Sequence, residues 1–240
     1  MSARDRIIAL LRTHPDGLDD DVITEKLGLS RRQQANSRCR EPDGRILRQG
    51  AVAIPVRGAS LPISGLTAWQ GLFDHGRLQS GQSVLVHGAA GAVGSMVTQL
   101  AREAGAYVIG TGRAADRQTA LDFGAKEFVN LDKDALQDVG EVDLVFDVIG
   151  GDIAKQSSGL IRAGGALVSI VGPPEKRPAD GLAVDFVVES DRAQLSEIVQ
   201  RVRDGRLRTN IGIVSTLDDA VGAFNSTGRR QGKTIIRVCP

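Results

Sequence analysis

The sequence predicts an α/β protein in two parts: a doubly wound parallel sheet over residues 56–240, preceded by a small helical domain over residues 1–55. Three observations carry this expectation. From residue 83 onward, short apolar runs alternate with amphipathic stretches that end in glycine, the pattern of strands joined by helices. The apolar runs are continuous rather than alternating, as strands buried on both faces require. Before residue 50 that alternation is missing, and the sequence is helical in period and rich in arginine.

The bulk numbers bound the function. At 41% hydrophobic and 25% charged residues, the 240-residue chain has the composition of a globular protein. A net charge of +1 excludes general polyanion binding by the whole molecule, so any basic patch must be local. Aromatic residues make up 3%, too few for a base-stacking platform. The two cysteines, Cys39 and Cys239, form no CxxC pair and no disulfide framework, which points to a reducing, cytoplasmic setting. The first residues lack a small-residue cleavage site, so no signal peptide is expected, and no apolar run is long enough to span a bilayer.

Taken in order, residues 4–13 place Ile7, Ile8, Leu10 and Leu11 on one helical stripe, and HPDG ends it. DDDVITEKLG is a second short helix, with its acidic residues at the end where the helix dipole favours them. Ser30 is a candidate N-cap for a third helix, RRQQANSRCRE, after which PDG turns into the short strand RILRQG. From Ser30 to Arg48 six arginines stand against Glu41 and Asp43, a local charge of +4.

This order of helix, helix, turn, basic helix and basic hairpin resembles a winged helix-turn-helix DNA-binding domain. The resemblance implies that Arg31, Arg32, Gln33, Gln34, Asn36 and Arg38 read base edges, while Arg45 and Arg48 reach phosphates. The other reading is a three-helix appendage with a solvated basic face.

The join carries Gly50, Pro55, Gly58, Pro62 and Gly65, a dense set of breakers, and is read as a boundary. Then follow the strand QSVLVHG, the helix AVGSMVTQLAREAG closed by Gly105, and the strand AYVIGTG. Next come the helix AADRQTALDFG closed by Gly124, the short strand KEFVN and the longer strand VDLVFDVIG. The helix GDIAKQSSGLIR and the strand GGALVSIVG complete the alternation, and LRTNIGIV and GKTIIRV read as closing strands. Strands joined by helices imply right-handed crossovers.

The stretch VLVHGAAGAVG, residues 84–94, leaves a strand and opens a helix. That is the context a Rossmann-type dinucleotide site requires: small residues let the backbone approach a pyrophosphate, and the helix start at Ala92 to Gly94 offers free N–H groups. After the second strand an NAD site places an acidic residue on the ribose hydroxyls. Here Thr111, Gly112 and Arg113 stand at that point, and Arg113, helped by Arg117, can pair with a 2′-phosphate, so the expected cofactor is NADP(H).

The segment LPISGLTAWQGLFDHGRLQSGQSVLVHGAAGAVGSMVTQLAREAGAYVIGT resembles the medium-chain dehydrogenase/reductase superfamily, in its zinc-free quinone-oxidoreductase-like branch. The likeness continues through DVIGG, GGALVSIVG and GKTIIRV. It implies Thr67 near the phosphates and the nicotinamide, Ala90, Gly91, Ala92, Val93 and Gly94 at the pyrophosphate, and Arg113 at the 2′-phosphate. It further implies Val148, Ile149 and Gly150 beside the ribose and adenine, Val171 and Gly172 beside the nicotinamide, and the Phe186 and Val187 backbone at the carboxamide. A homodimer is implied through the last strand of the sheet.

The sequence also departs from that family. Its members carry a catalytic domain ahead of LTAW, where this chain has the helix-turn-helix-like region. The closing strands are therefore expected to pair with each other, with GAVAIPV or with a second subunit. His14, His75 and His87 show no ligand spacing, so no metal is expected. His87 is read as a packed residue and His75 as helix surface. The leading expectation is hydride transfer from NADPH to a small-molecule quinone or enone, since the cofactor carries that chemistry. The alternative is a DNA-binding regulator that senses NADPH or redox state; a folded remnant with neither activity is a third reading.

Overall fold

The computed structural model describes residues 55–225 and 232–237, of which Val56–Ile236 belong to one compact unit. The expected helical domain lies outside the described residues.

The first helix, α1, spans Pro55–Trp69 and corrects the breaker-rich reading of the join. Proline is tolerated at a helix's first turn, where its missing N–H has no partner to lose. Pro62 lies inside α1 but on its exposed face. Gly65 serves close packing: a Cβ there would stand 3.0 Å from Ile198 Cγ2. Leu61, Leu66 and Ala68 are buried on the same element. Tertiary burial thus outweighs local propensity. A π-helical turn, Gln70–His75, continues the chain.

The sheet follows. Its strands are β1 (Ser83–His87), β2 (Tyr107–Gly112), β3 (Glu127–Asn130), β4 (Val142–Asp147), β5 (Ile161–Ser169) and β6 (Gly181–Asp185). Their order is β3-β2-β1-β4-β5-β6, and each neighbouring pair is parallel. The Rossmann-type doubly wound sheet expected from the sequence is therefore present. The connections carry α2 (Gly94–Glu103), α3 (Arg117–Phe123) and α4 (Gly151–Ser157). The helix expected over GDIAKQSSGLIR is shorter than its sequence suggests. It gives way to a 3₁₀ turn at Ser158–Leu160, and Ile161 and Arg162 already belong to β5.

Alternation along the central strand places residues on two faces. Val84 and Val86 join one core with Val97, Leu100, Val108, Leu144 and Phe146. Leu85 joins the other with Ile109, Val145 and Leu167. Each such side chain contributes about 1.5–3 kcal/mol on burial. Gly105 (φ 86°) and Gly124 (φ 110°) end their helical stretches in the left-handed conformation, as read from the sequence.

Beyond β6, helix α5 (Arg192–Arg203) is capped by Asp191, whose carboxylate accepts the Gln194 N–H at 2.9 Å. The closing segment forms β7 (Ile211–Thr216), α6 (Ala220–Phe224) and β8 (Lys233–Arg237). Of the three pairings the sequence left open, β7 and β8 pair with each other as a two-stranded sheet.

Candidate functional site: the carboxyl edge of the sheet

In a parallel sheet every strand delivers its following loop to the same edge. The order reverses between β1 and β4, so the loops after these two strands diverge and leave a crevice between them. The loop after β1 is the glycine stretch. Gly88 turns the chain with φ 65°, and its carbonyl accepts the Gly91 N–H at 2.8 Å. Gly94 opens α2 against that same carbonyl: a Cβ on Gly94 would stand 2.1 Å from the Gly88 oxygen. Only a glycine lets the helix start this close to the strand end. The helix itself begins at Gly94, so Ala92 and Val93 belong to the turn before it rather than to the helix.

The loops meet across the crevice. A Cβ on Gly88 would lie 2.8 Å from Val148 Cγ2, and one on Gly150 would lie 2.9 Å from Val171 Cγ2. The structure therefore brings the start of the glycine loop against Val148 and Ile149, and Gly150 against Val171. Ile149, Val171 and Val187 are 45%, 52% and 86% exposed, an apolar surface at the very edge where the sequence placed a ligand. Phe186 and Val187 follow the end of β6 and lie outside it. The Phe186 ring packs on His75, with centroids 4.5 Å apart. His75 is accordingly half-buried, which corrects its reading as helix surface.

At the end of β2, Gly112 is buried against Asp116, and Arg113 is exposed. Asp116 does not face the crevice as a ribose ligand would: it is buried, and its carboxylate accepts the Arg113 backbone N–H at 3.0 Å. Arg117 donates to the Phe128 carbonyl of β3 at 3.3 Å. Arg113 stands at the expected position, and Arg117 is exposed beside it with one guanidinium nitrogen on that carbonyl. Thr67 is buried on α1.

Beneath the glycine loop, His87 is wholly buried. Its Nδ1 is 2.9 Å from Thr111 Oγ and its Nε2 is 2.6 Å from Ser157 Oγ, which donates on to the Ile153 carbonyl at 2.7 Å. The Ser157 donation fixes the order: His87 Nε2–H gives to Ser157, and Nδ1 accepts from Thr111. Burial pushes the imidazole pKa down to about 4, and the nearby Asp147 carboxylate opposes this without reversing it. The packed role read from the sequence is what the geometry gives.

Several site-shaping residues escaped sequence reading. Asp147, fully buried at the end of β4, accepts the Ile149 and Gly150 N–H groups at 3.0 Å each and sets the second loop's turn. Asn210, in the segment leading into β7, donates from Nδ2 to the Ala90 carbonyl at 2.8 Å. Gln99 of α2 ties the same segment down, exchanging hydrogen bonds with the Arg208 backbone at 2.8 and 3.0 Å. The Asn210 and Gln99 pairs are 109 or more residues apart, so no local signal announces them. A separate cleft of about 200 Å³, lined by Trp69, Phe73, Leu100 and Arg201 among others, lies at the far end of α2 from Gly94.

Among the described residues no group of three or more His, Cys, Asp or Glu could hold a metal, and no helix is long and apolar enough to cross a membrane. Arg31, Arg32, Gln33, Gln34, Asn36, Arg38, Arg45 and Arg48 lie outside the described residues.

Comparison with known proteins agrees with this geometry. The family described as "Zinc-binding dehydrogenase" matches residues 92–205. A probable zinc-binding oxidoreductase, mitochondrial, of Arthroderma benhamiae is 32% identical over 203 residues, covering 75% of this chain and 61% of that protein. The quinone oxidoreductase of Mus musculus is 30% identical over 201 residues, covering 74% and 60%. Among solved structures, the quinone oxidoreductase from Coxiella burnetii superposes with a TM-score of 0.68 at 29% identity, covering 75% of this chain and 60% of that one. The chain thus spans about three fifths of the length of each of these relatives.

Proposed function

We propose that this chain, which is similar to zinc-binding dehydrogenases and quinone oxidoreductases, is a member of the medium-chain dehydrogenase/reductase superfamily, binds NADP(H) at the carboxyl edge of its sheet and reduces a small quinone or enone without zinc. The observation that carries the reading is the Gly88–Gly94 contact, a strand-to-helix turn too tight for a side chain at Gly94. The N–H groups of Ala90–Gly94 would hold the pyrophosphate. Arg113, helped by Arg117, would hold the 2′-phosphate, with Asp116 withdrawn into the fold. Val148, Ile149 and Gly150 would flank the ribose and adenine, Val171 and Gly172 the nicotinamide, and the Phe186–Val187 backbone its carboxamide, with Thr67 near the phosphates. The nicotinamide, when bound, supplies the hydride.

The residues of this chain bind, orient and exclude water. Ile149, Val171 and Val187 are the apolar groups available for that last task. The open edge of β6 is the surface through which we propose a homodimer to form. The acceptor class follows the names of the mouse and Coxiella relatives. The test is NADPH oxidation, followed in the near ultraviolet, with a panel of quinones and enones, while NADPH fluorescence reports binding. Turnover is expected. Binding without turnover on any acceptor overturns the reductase reading.

The alternative, a DNA-binding regulator, rests on the +4 charge of residues 30–48. DNA retention by the full chain at low salt, changed by NADPH, is its expected signature.

A further inference from the structure

Beyond β6 the chain leaves the ladder and runs from Phe186 to Asp191 without regular structure before α5 begins. Backbone without a neighbouring strand needs other partners for its N–H and C=O groups. Gln70 supplies them at Glu189. Its Oε1 accepts the Glu189 N–H at 3.0 Å, and its Nε2 donates to the Glu189 carbonyl at 3.0 Å. A side-chain amide carries a donor and an acceptor side by side, so it pairs with a residue's backbone as a neighbouring strand would. Nε2 also donates to Gln194 Oε1 at 2.9 Å, and Gln194 Nε2 donates on to Asp74 at 2.8 Å. Gln70 is buried, so water does not compete for these bonds.

Gln70 and His75 are the two ends of one π-helical turn, a rare geometry that is frequent at functional sites. His75 carries the Phe186 ring, with centroids 4.5 Å apart. Gly71, inside the turn, lies close to the same ring: a Cβ there would stand 3.2 Å from Phe186 Cε1. On the upstream side Asp185 is held in register with Ser169 of β5. The stretch from Phe186 to Val188 is thus fixed at both ends and, at Phe186, from the side. Val187 is nevertheless exposed. Among the described residues no backbone hydrogen bond outside the β5–β6 ladder engages Phe186 or Val187. The fold therefore holds still a short exposed run of backbone whose peptide groups are open to a ligand's amide.

We infer that this turn sets the nicotinamide end of the site, with Gln70 and His75 as positioning residues for the Phe186–Val187 backbone that meets the carboxamide. This rests on the nucleotide-binding reading above. Gln70 fixes where the stretch ends along the chain, and His75 fixes the Phe186 ring beside it. Both act through Phe186 and Val187 rather than on the nucleotide itself.

The experiment compares the full chain with its Gln70→Met and His75→Ala variants by calorimetric titration. Two probes are used: NADPH, and 2′-phospho-ADP-ribose, which lacks the nicotinamide ring and its carboxamide. Gln70→Met keeps the length of the side chain and removes its amide. Each variant is expected to weaken NADPH about three- to tenfold and to leave 2′-phospho-ADP-ribose within about twofold. Retained binding of the second probe certifies that a variant is folded. If Gln70→Met loses it, His75→Ala decides, because that side chain is only half-buried. A folded variant with no loss on NADPH overturns the role of its residue, and equal losses on both probes in both variants overturn the inference. If the unaltered chain binds NADPH no more tightly than 2′-phospho-ADP-ribose, the inference fails while the nucleotide-binding reading stands. If it binds neither, both fail.

Discussion

Lowering the pH from 6.5 to about 4 should cost this fold much of its stability, because His87 is buried in its neutral form. The imidazole is enclosed with its Nε2 giving to Ser157 and its Nδ1 accepting from Thr111. Its folded pKa lies at about 4 against 6.5 for the free side chain. The sign follows from which state binds the proton first. As pH falls through 6.5 the unfolded chain takes up a proton at this position and the folded chain does not. The contribution is therefore fully present above pH 6.5 and is lost progressively down to about pH 4. That interval, at about 1.36 kcal/mol per pH unit, amounts to about 3 kcal/mol, a large share of the about 5–15 kcal/mol that holds a typical domain together. Urea titrations between pH 4 and 8, on the unaltered chain and on His87→Gln, isolate it: the difference in unfolding free energy between the two should shift by about 3 kcal/mol across the interval. Nuclear magnetic resonance of the ring carbons gives a direct reading, because the chain has three histidines. A His87 resonance that titrates near pH 6.5 in the folded protein would refute the reasoning.

Other substitutions test other links. Gly94→Ala puts a Cβ against the Gly88 carbonyl and the Ala89 Cα, both backbone. It should cost about 1–3 kcal/mol by thermal melting and weaken NADPH binding at least about tenfold. Arg113→Ala should weaken NADPH roughly tenfold or more while leaving NADH within about twofold, measured by fluorescence titration. Gln70→Leu removes a buried amide that bonds the Glu189 N–H and carbonyl at 3.0 Å each, and should destabilise by about 1–3 kcal/mol in urea. Pro62→Ala, on the exposed face of α1, restores a helical N–H and should raise stability by about 1–3 kcal/mol in the same assay.

The sequence by itself determined the sheet and its edge. Continuous runs such as Val84–Val86 and Leu144–Phe146, set between amphipathic stretches, read as strands buried on both faces, and Gly105 and Gly124 mark helix ends through a conformation other residues avoid. The glycine loop was legible for the same reason, since the need for a missing side chain is written in the sequence. Arg113 was legible because its place at the end of β2 follows from strand length alone. The tertiary structure decided what depends on partners distant along the chain. Pro55–Trp69 reads as a broken linker until Ile198 arrives against Gly65 and burial outweighs propensity. The bond from Arg117 to the Phe128 carbonyl of β3 likewise appears only in the fold. Asn210 reaches a loop 120 residues earlier, and Lys233 a serine 169 residues earlier. Local sequence carries backbone preference and periodicity, and these fix which elements form. The energy of a buried polar group depends on what surrounds it in space, and that is set only when the elements pack.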